Sequence, residues 1–121
     1  MSEILVEDLK DLVDKTEYVK KVEFKELDME IRLYLPMKEK LKLAESVYQT
    51  SLDKVNGFEV VNKNTENIAL VHFITKYYTN IELPEDIFEG FDMIVSTGIF
   101  NKLIETIETE INGIMEMVYF I

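Results

Sequence analysis

The sequence predicts a single α+β domain, residues 1–121, that is mainly helical, with about five helices and one antiparallel β-hairpin in its N-terminal half. The first observation behind this is size, because 121 residues that are 47% hydrophobic supply one core. The second is residues 27–35, where apolar and mostly polar side chains alternate with the period of a strand. The third is residues 65–78, where apolar side chains occupy nearly every helical face, as in a helix enclosed by others.

The N-terminal segment, residues 1–17, is predicted to be an acidic amphipathic helix that Ser2 caps. Its apolar face is formed by Leu5, Leu9, Leu12 and Val13. The hairpin follows over residues 18–35, and its turn is expected near residues 25–28, although no Asn-Gly or Asp-Gly fixes the position. The strand face that we expect to be buried holds Leu27, Met29, Ile31, Leu33 and Leu35.

Residues 36–121 are predicted to be the helical part. Its first helix begins after Pro36, and Asn56-Gly57 is expected to end it. The apolar face of this helix is predicted to hold Met37, Leu41, Ala44, Tyr48, Leu52 and Val55. Residues 58–61 are either a short apolar connector or a third strand that pairs with the hairpin edge.

Residues 65–78 are interpreted as the central helix, with a cap among residues 62–64 and with Thr79, Asn80 and Pro84 closing it. Their β-branched and aromatic content also fits a buried strand. Pro84 is expected to open the next helix, with a buried stripe of Ile87, Phe91, Ile94 and Val95. After residues 96–98 comes a last helix, whose apolar seam is Phe100, Ile104, Ile107, Ile111, Ile114, Val118 and Ile121.

The C-terminal end is more apolar than termini usually are. It either docks into the chain's own core or is covered by another copy or another protein. We expect part of it to lie between chains, which makes a homo-oligomer or a larger assembly the predicted state. The predicted partner-contact residues are Ile111, Ile114, Met115, Val118, Tyr119, Phe120 and Ile121.

Acidic residues are concentrated at the two ends of the chain. The net charge of −11 divides into −4 over residues 1–17, +1 over 18–45, 0 over 46–80 and −8 over 81–121. Such a surface repels nucleic acid and anionic lipid and attracts basic proteins, or else it serves solubility. The predicted acidic patch consists of Glu82, Glu85, Asp86, Glu89 and Asp92.

Residue types that carry chemistry are scarce. The sequence has no cysteine and one histidine, His72, which is expected to be a hydrogen-bonded structural residue at the margin of the core. No phosphate-binding glycine loop, nucleophile elbow or calcium loop occurs, and the spaced carboxylate pairs map to polar faces. We therefore expect no catalytic residue, no cofactor and no metal. The start has no secretory signal and no stretch is long enough to span a membrane, so the expected location is the cytoplasm of a host cell or a virion.

Two phrases carry a family resemblance, YLPMKEK at residues 34–40 and FITKYYTNI at residues 73–81. Through them the chain resembles, over roughly residues 20–104, small acidic proteins of tailed phages and prophages of low-GC Gram-positive bacteria. That resemblance implies a head or tail component or an assembly factor, and it supplies no catalytic residues. The leading hypothesis is accordingly a non-enzymatic phage virion or assembly protein that acts through protein contacts. The alternative is an acidic inhibitor that mimics nucleic acid and binds a basic surface of a host protein.

Overall fold

The described part of the chain, residues 2–120 of a computed structural model, contains five helices and two β-hairpins. This confirms the predicted α+β class with helices dominating. None of the helices in this range is long and apolar enough to cross a bilayer. The elements are α1 (Val6–Lys15), β1 (Val19–Phe24), β2 (Leu27–Arg32), α2 (Met37–Thr50), β3 (Leu52–Val55), β4 (Phe58–Val61), α3 (Lys63–Tyr78), α4 (Ile87–Thr97) and α5 (Ile99–Tyr119).

The first hairpin is the predicted one. Strands β1 and β2 pair antiparallel, from Val19 opposite Arg32 to Phe24 opposite Leu27. Lys25 and Glu26 form the turn with φ of 49° and 69°, the left-handed backbone that a two-residue turn of type I′ requires. Met29 and Ile31 are buried as predicted, whereas Leu27 is exposed beside the turn. The strand ends at Arg32 rather than at residue 35.

The second hairpin corrects the sequence interpretation of residues 52–61. Strands β3 and β4 pair with each other and not with the first hairpin, and Asn56-Gly57 is their turn rather than a helix stop. Asn56 and Gly57 both have positive φ, 53° and 81°, so this dipeptide gives the same turn type as the first hairpin. Helix α2 therefore ends at Thr50, and residues 52 and 55 lie in a strand.

Two other helix predictions need correction. Helix α2 buries Leu43, Ala44 and Val47 and leaves Met37 and Leu41 exposed, because apolar residues recur at helical spacing on both of its sides. Helix α4 begins at Ile87 rather than at Pro84. Asp86 is the N-cap of α4, because its Oδ1 accepts a hydrogen bond from the backbone N–H of Phe88 at 2.9 Å. Val95, placed in the buried stripe by sequence, is exposed.

Helix α3 is the central helix, as predicted. Asn62 caps it by accepting the backbone N–H groups of Asn64 and Thr65, and the helix ends at Tyr78. It packs against α2, α4 and α5, so side chains around its whole circumference are buried. The buried residues of α3 are Glu66, Ala69, Leu70, His72, Ile74, Thr75 and Tyr78.

Helix α5 follows Gly98, whose φ of 82° allows the reversal between α4 and α5. Its backbone leaves helical geometry at Ile107, with φ −133° and ψ 38°, which kinks the helix within its buried stripe. Leu103 is buried where the predicted seam had Ile104, which is exposed. The buried stripe of α5 is Leu103, Ile107, Ile111, Ile114 and Val118.

Candidate functional site

Helix α1 is the one described helix that buries none of its residues. Its N-cap is Leu5 and not Ser2 as predicted, since the backbone N–H of Leu5 donates to Asp8 Oδ2 at 2.9 Å. The remaining side of the helix carries carboxylates and two lysines. Its apolar face, which we call the α1 stripe, consists of Leu5, Leu9, Leu12 and Val13, and these side chains are 52–61% exposed.

An apolar groove lies at the C-terminal end of α1, and Val13 lines one side of it. Its volume is about 510 Å³, which is within the range of protein ligand pockets, about 300–1,000 Å³. We call it the hairpin groove, because β1, β2 and the residues that flank them form the rest of it. The other lining residues are Tyr18, Val19, Arg32, Tyr34 and Pro36.

Side-chain alternation explains why the hairpin groove is apolar. Leu33 and Leu35 turn toward the core, so Tyr34 between them turns outward and remains 46% exposed. The Nζ atom of Lys40 lies 4.4 Å from the centre of the Tyr34 ring. Arg32 pairs with both carboxylate oxygens of Glu39, at 3.2 and 2.9 Å, and this hydrogen bonding lowers the pKa of Glu39. The groove thus has an aromatic floor, and the one cation that lines it among the described residues, Arg32, is already paired with Glu39.

A polar network beneath Tyr34 holds this region against α5. Glu110 accepts hydrogen bonds from the Tyr78 hydroxyl at 3.0 Å and from the Leu35 backbone N–H at 3.3 Å. Its carboxylate also pairs with Lys40 Nζ at 3.2 Å. Burial, with the neighbouring Glu110 charge, raises the pKa of Tyr78, so the phenol keeps the proton that it donates. The network fixes the segment after β2, and with it the position of Tyr34 and Pro36.

The predicted partner-contact residues at the C-terminus differ in their exposure. Ile111, Ile114 and Val118 are buried in the chain's own core, so they present no surface to a partner and that part of the prediction is wrong. Met115 is half-buried against the same core. Tyr119 and Phe120 are exposed, and the Tyr119 hydroxyl donates to Asn67 Oδ1 at 3.0 Å. Ile121 lies outside the described residues.

The predicted acidic patch is exposed throughout: Glu82, Glu85, Asp86, Glu89 and Asp92. Within residues 2–120, none of these carboxylates has a lysine or arginine nitrogen within 4 Å. Phe88 and Met93 on α4 are exposed as well, so this helix also presents apolar side chains to solvent.

His72 is buried deeper than predicted. It is 3% exposed on α3, and its ring lies against Gly90 of α4, where an added Cβ would collide with the imidazole. Its Nδ1 atom has no hydrogen-bond partner within the described residues, which corrects the expected hydrogen-bonded histidine. Burial lowers the pKa of His72, Lys76 lowers it further, and Asp86 opposes the shift. No cluster of three potential metal ligands occurs in residues 2–120.

Sequence reasoning missed the α1 stripe and the hairpin groove as candidate contact surfaces. The helical spacing of the leucines was visible in the sequence. Such spacing shows that one face of a helix is apolar, but it does not show which part of the protein, or which partner, buries that face. Tyr34 carried a usable signal, because an aromatic residue falls on the side of the chain opposite Leu33 and Leu35. No family model, curated protein or solved structure matches the chain, so its likeness to phage proteins stays a prediction.

Proposed function

We propose that the chain is a non-enzymatic protein that acts by binding protein, and that the α1 stripe is the surface through which it does so. The observation that carries this proposal is the complete exposure of an amphipathic helix. Helices shorter than about 12–15 residues are marginal in water by themselves, and α1 has 10 residues with no buried side chain. A helix of this kind gains stability when a partner covers its apolar face.

The α1 stripe has the spacing of helices that bind in grooves. Leu5, Leu9 and Leu12 follow one another at steps of four and three, which places them on one line along the helix. Burying each leucine fully contributes on the order of 1.5–3 kcal/mol, of which roughly half remains to be gained at its present exposure. The acidic residues around the stripe favour a partner surface with a basic rim.

For the biological setting we propose a virion or assembly protein of a tailed phage, located in the host cytoplasm or the virion. The support is the resemblance carried by residues 34–40 and 73–81. The gene is then expected to lie among phage head or tail genes, and sequencing its neighbours tests this. Native mass spectrometry tests the non-enzymatic part, since a tightly bound metal or nucleotide in purified protein would contradict it.

Site-specific photo-crosslinking tests the proposed surface. A photoreactive amino acid replaces Leu9 in one version of the full chain and Leu41 in the other, and both are produced in cells of the organism that encodes it. Leu41 is the matched control, because it is an exposed leucine of nearly the same exposure on α2. We expect a discrete protein adduct from position 9 and none from position 41. Equal or absent adducts at both positions would overturn the proposal.

A second candidate function is the acidic inhibitor. The observation that favours it is the row of five exposed carboxylates from Glu82 to Asp92, which have no cation within 4 Å in the described residues. Binding through these charges alone weakens steeply as salt rises, whereas binding through the α1 stripe keeps its apolar contribution at high salt. Affinity for the crosslinked partner, measured across salt concentrations, therefore separates the two candidates.

A further inference from the structure

The hairpin groove is an apolar surface that could bury the α1 stripe. It is apolar, large enough for several side chains, and lined by Arg32, with Lys40 above Tyr34 at its edge. We propose that α1 of a second copy of this chain lies in the hairpin groove, and that the exchange is reciprocal. This inference rests on the proposed function, because it names the partner of the same α1 stripe.

Charge supports a second copy as the occupant. Residues 1–17 carry a net charge of −4, and residues 18–45, which contain β1, β2 and the start of α2, are the part of the chain with a positive balance, +1. Two α1 helices packed on each other would bring −4 against −4, which is unfavourable. Docking α1 on the hairpin groove instead places its carboxylates against residues 18–45, where Lys20, Lys21 and Lys38 are exposed and have no carboxylate within 4 Å in the described residues.

The connection between α1 and β1 explains why the chain's own helix leaves the groove open. Residues 16–18 join the two elements, and three residues span at most about 10 Å. Val13 already lines the groove from this side, while Leu5, Leu9 and Leu12 point to solvent. Helix α1 of a second copy is not tethered in this way. Exchange of an identical element between two copies is a low-cost route to dimers.

The geometry predicts a closed dimer of modest affinity. A reciprocal contact uses the same two surfaces on both copies, so it ends at two chains and does not propagate. Each copy contributes Leu5, Leu9 and Leu12 of the α1 stripe and the six groove-lining residues, Val13 among them, fewer than the roughly 20–30 residues per side of a standard interface. We therefore expect dissociation at micromolar concentrations.

Two full-length variants test the exchange by complementation. The helix variant, Leu9→Glu with Leu12→Glu, has an intact groove, and the groove variant, Tyr18→Glu with Tyr34→Glu, has an intact helix. All four changed residues are exposed, so the fold should tolerate them. Leu41→Glu, an exposed leucine on α2, is the control. Because the chain has no cysteine, Ser96→Cys provides a single labelling site for following each variant by sedimentation velocity.

We expect the wild-type chain and the Leu41→Glu control to dimerise, and each double variant to dimerise at least tenfold more weakly. The equimolar mixture of the two variants should recover a heterodimer, because one helix and one groove remain intact. Failure of the mixture to associate would overturn the exchange in favour of α1 pairing with α1. A wild-type chain that stays monomeric at millimolar concentration would overturn it entirely. In that case an adduct from position 9 to another protein would still support the proposed function.

Discussion

Helices α1 and α5 have the same kind of sequence pattern but differ in whether their apolar side chains are buried. Both have an apolar stripe at helical spacing with acidic residues around it. The stripe of α5 is covered by α2, α3 and α4, whereas that of α1 faces solvent. The difference shows that an amphipathic pattern identifies an apolar helix face that is stabilised by burial, while the tertiary contacts determine whether the chain itself buries it.

Position in the chain pointed to a helix whose apolar stripe is mostly buried. The C-terminus looked anomalous because its apolar residues continue to the last turn, yet Ile114 and Val118 are buried in the core and, among the described apolar residues there, only Tyr119 and Phe120 are exposed. The N-terminus looked ordinary because its charges make it resemble any surface helix. A partner surface is therefore better sought in apolar side chains that the fold leaves uncovered than in those that are merely unexpected at a terminus.

The largest expected difference between α5 and α1 is the loss of stability when one residue of each apolar stripe is truncated to alanine. Ile114→Ala is expected to lower the free energy of unfolding by about 2–5 kcal/mol, because Ile114 is fully buried and leaves a cavity. Leu9→Ala should change it by less than about 0.5 kcal/mol, since Leu9 is exposed and alanine is a good helix former. Urea unfolding at a dilution that favours the monomer measures both. Similar losses for the two variants would mean that the free chain covers α1 after all.

A smaller difference in stability is expected when one carboxylate of α5 and one of α1 are neutralised. Glu110→Gln removes the charge that faces Lys40, whose side chain is only 13% exposed, and is expected to cost about 1–3 kcal/mol. Asp11→Asn in α1 changes the net charge equally but removes no ion pair or hydrogen bond found in the described residues. It should be neutral within about 0.5 kcal/mol. If both substitutions are neutral, solvent screens the Glu110 network and it does not position the hairpin groove.

Much of the fold was predictable where a local signal has a single solution. The alternation of residues 27–35 favours a strand. In α3 the cap among residues 62–64 and the closing residues 79, 80 and 84 favour a helix over the buried strand that its apolar content also fits. Prediction was wrong where the signal has two solutions. Asn56-Gly57 suits both a helix end and a hairpin turn, and α2 has apolar residues on both sides. Long-range packing makes those choices, and single-sequence periodicity contains no information about it.

The candidate site was less predictable than the fold, for a physical reason. The groove joins Val13 to Tyr34 and Pro36, residues that are distant in sequence and become neighbours only when the hairpin folds. The Glu110 network likewise joins α2, α3 and α5. Such sites depend on the coordinates of several elements at once. By contrast, the exposure of the acidic patch followed directly from its charge.

The smallest effect concerns pH and contrasts a buried titrating group with the exposed charges of α1. His72 is the single histidine of the chain, and burial lowers its pKa below the ordinary value of 6.5. Above pH 6.5 neither the folded nor the unfolded chain holds this proton, so the full stability is present. As pH falls below 6.5, His72 binds a proton in the unfolded chain but stays neutral in the folded chain. The free energy of unfolding therefore declines until the pH has passed the lowered pKa of His72.

We expect this decline to begin near pH 6.5 and to end at the lowered pKa of His72, with a slope of at most about 1.4 kcal/mol per pH unit for one proton. Lys76 strengthens it and Asp86 weakens it. Urea unfolding of the wild-type chain and of His72→Phe across this range measures the slope, because phenylalanine keeps the ring against Gly90 without a titrating nitrogen. The variant should lose the slope whatever its absolute stability. If the slope survives in His72→Phe, other groups cause it and His72 is not the buried group that titrates.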